Sequence, residues 1–89
     1  MEIKRYVDVL VLIKKDRTQI PGYIVWDERY YKISSINRTR KVMRDSRWCD
    51  EYTCLVNQRI KLLYRDIEEN RWFIYTDQIP SSDFEYETI

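Results

Sequence analysis

The chain has 89 residues, 44% hydrophobic and 15% aromatic against 35% charged, with a formal net charge of +1. That length holds one core rather than two, and the apolar fraction excludes a wholly disordered chain. A single glycine and two prolines exclude Gly-rich phosphate loops, collagen-like repeats and low-complexity linkers.

In chain order, Ile3 to Ile13 comes first. Val7, Val9, Val11 and Ile13 share one parity, and Tyr6, Leu10 and Leu12 share the other. Apolar residues on both faces, many of them β-branched, predict a strand that is covered on both sides or bends through a barrel. Its apolar run from Val9 to Ile13 ends in Lys14-Lys15-Asp16-Arg17 and is too short for a signal peptide or a membrane span, so the reading is a cytoplasmic protein with no membrane partner. Lys14 to Thr18 is a turn, and Ile20 to Trp26 is a second strand with an edge, bulge or bend at Pro21-Gly22. After Asp27-Glu28-Arg29 a third strand runs from Tyr30 to Ile36. Beyond Arg38 the pattern is read as a strand fading into a loop. Tyr52 to Val56 and Arg59 to Tyr64 are expected to pair around Asn57-Gln58. Asp66 to Asn70 is a polar turn, and Arg71 to Tyr75 is the last strand.

Short strands at near-regular spacing, without an apolar stripe of helical period, predict an all-β fold. The expected architecture is a small antiparallel barrel or strongly curved sheet of about six strands, with SH3-like and OB-like topologies both open. Residues 1–76 form the domain, and 77–89 read as an acidic, flexible C-terminal tail.

Charge is unevenly spread. Met1 to Trp48 holds 12 Lys and Arg against 6 Asp and Glu, whereas Cys49 to Ile89 holds 4 against 9. Arg38, Arg40, Lys41, Arg44 and Arg47 crowd a short stretch that contains only Asp45 as an acid. Together with Tyr30, Tyr31 and Trp48, these five cations are the candidate partner-binding residues. Cations attract phosphates or carboxylates and exposed rings stack on bases, so the expected partner is anionic, either protein or nucleic acid. The bland alternative is a solvated loop whose arginines pair with acids of the second half. The near-neutral total argues against a dedicated nucleic-acid binder.

Catalytic chemistry has little to stand on. Without histidine there is no ordinary general base near neutral pH and no base partner for a Ser, Thr or Cys nucleophile, so no catalytic residue is assigned. Cys49 and Cys54 lack CxxC spacing and have no histidine to complete a zinc site, so neither a metal nor a cofactor is expected. Five residues apart on a strand, the two thiols face opposite ways, and Cys54 reads as a small core residue. Asp27-Glu28, Asp50-Glu51 and Glu68-Glu69 are read as turn or surface carboxylates. Trp26 and Trp72 are expected in the core, whereas Trp48 is expected to be exposed.

The segments Ile3-Lys4-Arg5-Tyr6-Val7-Asp8-Val9-Leu10-Val11, Ile24-Val25-Trp26-Asp27 with Tyr31-Lys32-Ile33, Tyr52-Thr53-Cys54 and Arg71-Trp72-Phe73 resemble a family of short uncharacterised bacterial β-rich proteins, over about Ile3 to Tyr75. The resemblance implies a compact bacterial β domain and carries over no site. In that family small residues are common where this chain has Arg40 to Arg47, so the basic cluster is a departure from it. The functional expectation is a non-enzymatic binding or adaptor module that contacts its partner through the basic loop. The alternative is a structural homo-oligomer, such as a homodimer, that associates through strand edges.

Overall fold

The computed structural model describes residues 2–77. Six strands follow one another: β1 (Glu2–Ile13), β2 (Gln19–Trp26), β3 (Arg29–Arg44), β4 (Arg47–Val56), β5 (Arg59–Asp66) and β6 (Arg71–Asp77). Each is antiparallel to its sequence neighbours, and β6 returns to β1 to close a barrel. The order is a plain meander, without the Greek-key crossover of an OB barrel. β6 includes Asp77, the first residue of the expected tail, and the remainder of that tail lies outside the described residues.

Two strands bend to serve both halves of the barrel. β1 pairs with β6 from Glu2 to Val7 and with β2 from Asp8 to Ile13, so its two parts bury different neighbours. Of the two expected arrangements it is the bend that holds, because Leu10, Leu12 and Ile13 remain exposed and the strand is not covered on both sides. The ladder of β1 and β2 slips between Leu10 and Val11, leaving Gly22 as the extra residue of a bulge. A Cβ on Gly22 would lie 2.7 Å from Leu12 Cγ, so this close approach requires the bare glycine backbone. β3 pairs with β2 from Arg29 to Lys32 and with β4 from Ile33 onward. Irregularities at Ile33/Ser35 and Ile36/Arg38 turn it from one half to the other.

The segment expected to fade into a loop is strand. Thr39 to Arg44 pairs residue for residue with Tyr52 to Arg47, and the chain reverses at Asp45-Ser46. The reason is cross-strand. Val42 sits opposite Cys49 and Arg40 opposite Glu51, and neither partner is visible in a local reading of a segment dominated by charge.

Where length alone predicts a single core, parity along β4, β5 and β6 divides the buried residues into two clusters, one on each face of the coiled sheet. Tyr52, Cys54, Val56, Leu63 and Ile74 join Val7, Ile24, Tyr31 and Ile33 in the barrel interior, with Trp26 and Trp72 packed against them. The alternate residues Cys49, Tyr64 and Phe73 form a second cluster on the opposite face, with Val42 and Tyr75 against it. Tyr64 and Phe73 stack with centroids 5.2 Å apart, and Tyr75 meets both rings edge-on. With no helix among the described residues to cover it, this sheet can bury parts of both faces only by coiling on itself. Here β3 and β1 lie at opposite edges of the run β3-β4-β5-β6-β1, yet Lys4 Nζ reaches Asp45 Oδ2 at 3.2 Å. The hairpin tip thus curls over the second core. As expected, Cys49 and Cys54 face opposite ways, one in each cluster.

Candidate partner-binding site

The basic cluster is a two-stranded arm made of the second half of β3 and the start of β4. Its backbone register places Arg40, Val42 and Arg44 on the face of the second core, and Lys41 and Met43 on the other. On the first face sits Glu51, only 4% exposed. Its carboxylate accepts hydrogen bonds from Arg40 Nε at 2.7 Å, Arg44 Nη2 at 3.3 Å and the Tyr64 hydroxyl at 3.0 Å. Burial pushes the Glu51 pKa up, but the hydrogen bonds from Arg40 and Tyr64 and the charges of both arginines more than offset it. The group lies below the ordinary glutamate value.

Asp66, equally buried, holds Arg47. The guanidinium Nε donates to Oδ2 at 2.6 Å and the Glu69 amide donates to Oδ1 at 3.0 Å. The Arg47 bond, followed by the Glu69 amide, places the Asp66 carboxyl below the ordinary aspartate range. Glu68 and Glu69 stand 3.6 and 3.8 Å from the same guanidinium. Asp50 accepts from Arg65 Nη2 at 2.8 Å.

Glu51 and Asp66 are therefore corrections: carboxylates read as surface or turn groups are the buried anchors of three of the five candidate cations. The available signal was parity. Glu51 shares a face with Cys49, and its strand pairs with one rich in arginine.

The candidate residues do not all meet. Arg40, Arg44 and Arg47 are pinned on carboxylates, whereas Arg38 and Lys41 are exposed and have no ion-pair partner among the described residues. Trp48 is 57% exposed, as expected, and lies directly opposite Met43, which is also exposed. Tyr31 is a correction: at 1% exposure it is a barrel-core residue and presents no ring to a partner, because it faces inward beside Ile24. Tyr30 is exposed but pairs with Val25 near the start of β3, the end away from Trp48. The rings expected to form one stacking platform are thus dispersed.

Thiol chemistry finds no activated group. Burial pushes the Cys54 thiol up to about 12 and raises Cys49 as well, keeping both protonated near neutral pH. Among the described residues no group of three or more Cys, Asp or Glu is placed to hold a metal ion, and no helix is long and apolar enough to cross a membrane. Compared with protein-family models, curated proteins and solved structures, the chain matches none. The functional argument rests on the arm's geometry.

Proposed function

We propose that this protein is a non-enzymatic binding module that takes an extended acidic segment of a partner protein onto the open edge of β3. The observation that carries this reading is the pairing of the arm. From Ile33 to Arg44, β3 pairs with β4 on one side and, among the described residues, with no strand on the other. An unpaired edge is a template for one more strand. In a hairpin closed by a two-residue turn the flanking pair Arg44–Arg47 exchanges hydrogen bonds, and the pattern then alternates. The N–H and C=O groups of Thr39 and Lys41 consequently point to the open side, as does the Met43 N–H, whereas the Met43 carbonyl already accepts from Arg44 Nη1 at 2.8 Å.

Charge selects the sign of the incoming strand. β3 carries Arg29, Lys32, Arg38, Arg40, Lys41 and Arg44 and no acid. Two copies docked edge to edge would set these rows against each other, which disfavours self-pairing along this edge. Glu51 neutralises part of the arm, while Arg38 and Lys41 keep their charge for a partner. Nucleic acid is the weaker choice because Tyr31 is buried and Tyr30 and Trp48 lie apart.

The test is a titration with a labelled peptide alternating Glu and Thr, alongside its Lys counterpart and single-stranded DNA and RNA. Thr39→Pro removes one outward N–H while leaving the β4 ladder and every cation in place. The acidic peptide should bind the wild type, about tenfold weaker after Arg38→Glu with Lys41→Glu, and weakly to folded Thr39→Pro. Undiminished binding by Thr39→Pro, or steeply salt-dependent binding of nucleic acid alone, would overturn the reading.

A second reading has its own observation. Leu10, Leu12 and Tyr30 are exposed on the outer face formed by β1, β2 and the start of β3, with Tyr23 and Val25 between them. Such a face suits a homodimer packed face to face instead of through strand edges. Light scattering that returns a monomer mass at high micromolar concentration removes it.

A further inference from the structure

The outer face of β3, β4 and β5 carries an apolar patch that the described residues leave uncovered. Cross-strand register sets Ser35, Leu55 and Ile60 in one row and Arg38, Thr53 and Leu62 in the next, on the face opposite Tyr52, Cys54 and Leu63 of the barrel core. Ile60 is 55% exposed and Leu62 44%, with Leu55 half-buried beside Ile60. Arg38 stands at the rim, exposed and without an ion-pair partner among the described residues. Apolar side chains grouped beside such a cation mark a contact surface.

The chain itself carries the complementary chemistry. In residues 78–89 Phe84 and Tyr86 alternate with Asp83, Glu85 and Glu87, and there is no lysine or arginine. Extended backbone puts those rings on one side and the carboxylates on the other. The segment also starts in the right place. Asp77 ends β6 four residues past the Tyr64–Phe73 pair, and Ile60 lies four residues before Tyr64 on neighbouring β5. Pro80 has no N–H with which to prolong a ladder. From β6 to β3 is three strand spacings, about 15 Å, whereas the six residues 78–83 can span about 20 Å. The other exposed apolar face fits less well, since Leu10 and Leu12 lie eight and ten residues along β1 from Glu2, the partner of Asp77.

We infer that residues 78–89 dock back onto this face, with Phe84 and Tyr86 on Leu55, Ile60 and Leu62 and with Asp83 and Glu85 within reach of the long Arg38 side chain. Docking takes the patch out of water and pairs the cation at its rim. Arg38 also belongs to the β3 arm, so an acidic partner competes with the segment for it. The apolar contacts lie on the sheet face and do not rest on strand addition at the β3 edge.

The experiment is methyl NMR of the full chain. Nuclear Overhauser contacts are expected between the Phe84 and Tyr86 rings and the methyls of Leu55, Ile60 and Leu62, unchanged on dilution. Phe84→Ser with Tyr86→Ser should move those methyl signals and leave Ile24, Leu10 and Leu12 where they are. Arg38→Glu should lower the docking equilibrium about fivefold, and raised salt should weaken docking in the wild type. Absence of the ring-to-methyl contacts would overturn the inference, as would unmoved Leu55, Ile60 and Leu62 signals in the double variant. Contacts that vanish on dilution would assign the face to a second copy of the chain and overturn it equally. No readout uses an added partner, so failure of peptide binding at the β3 edge would leave these results standing.

Discussion

Glu51 shows how one buried carboxylate organises a surface that looks uniformly basic. It sits under the arm and receives two guanidinium groups and a phenol, so the arginines are held as a structural part of the second core. Replacing it with the isosteric amide, Glu51→Gln, keeps the shape and removes the charge the donors face. The expected loss is about 2 kcal/mol at pH 7, in the range of hydrogen bonds to charged groups and held down by solvent screening at the half-exposed arginines. The sign with pH follows from the depressed pKa. In the unfolded chain Glu51 titrates near its ordinary value of 4.5, and in the folded chain lower. Its contribution is complete above that ordinary value and disappears as pH falls through the folded pKa. Urea unfolding at a series of pH values should show the difference between wild type and Glu51→Gln shrinking below pH 4.5. A constant difference down to pH 2 would contradict the ion-pair account.

At the level of elements, the three tight hairpins carry a backbone cost. Asp27-Glu28, Asp45-Ser46 and Asn57-Gln58 all have φ between 50° and 64°, the left-handed pair of a type I′ turn, and none contains glycine. A side chain in that region costs about 1–2 kcal/mol, less for Asn and Asp, whose short polar groups bond locally. The second position of each turn, Glu28, Ser46 and Gln58, bears the larger share. Gln58→Gly should therefore raise stability by about 0.5–1 kcal/mol, net of the extra freedom glycine brings to the unfolded chain. The same holds for Ser46→Gly, read by the urea midpoint. No gain at either position would mean that the native side chains make compensating contacts. The bulge at Gly22 is the reverse case. There the chain uses its sole glycine for close approach to Leu12 at φ < 0, leaving the turns to other residues.

For the whole molecule, closure is the feature on which the rest depends. Glu2 pairs with Asp77 and Val7 with Trp72, so the seam joins the two ends of the described chain. The neighbouring β5–β6 seam is short, held by Tyr64–Phe73, Arg65–Trp72 and Asp66–Arg71. Without residues 1–7, β6 would keep that short seam alone and the barrel interior would lose Val7. A chain so shortened should melt broadly and bind a hydrophobic dye, while the full chain melts cooperatively. A sharp, dye-free melt of the shortened chain would show that closure is dispensable.

Local chemistry determined much of this protein. Alternating and β-branched runs specified the strands of the barrel, the Asn57-Gln58 reversal, the opposite faces of Cys49 and Cys54 and the exposure of Trp48, because each depends on neighbours within a few residues. Three matters were decided only in three dimensions: that Arg38–Arg44 is a strand, that Glu51 and Asp66 are buried beneath arginines, and that Tyr31 faces the core while Tyr30 does not. Their cause lies in cross-strand partners many residues away and in the coil of the sheet. Register and twist choose which of two alternating faces is covered, and a residue's own flanks do not contain that choice.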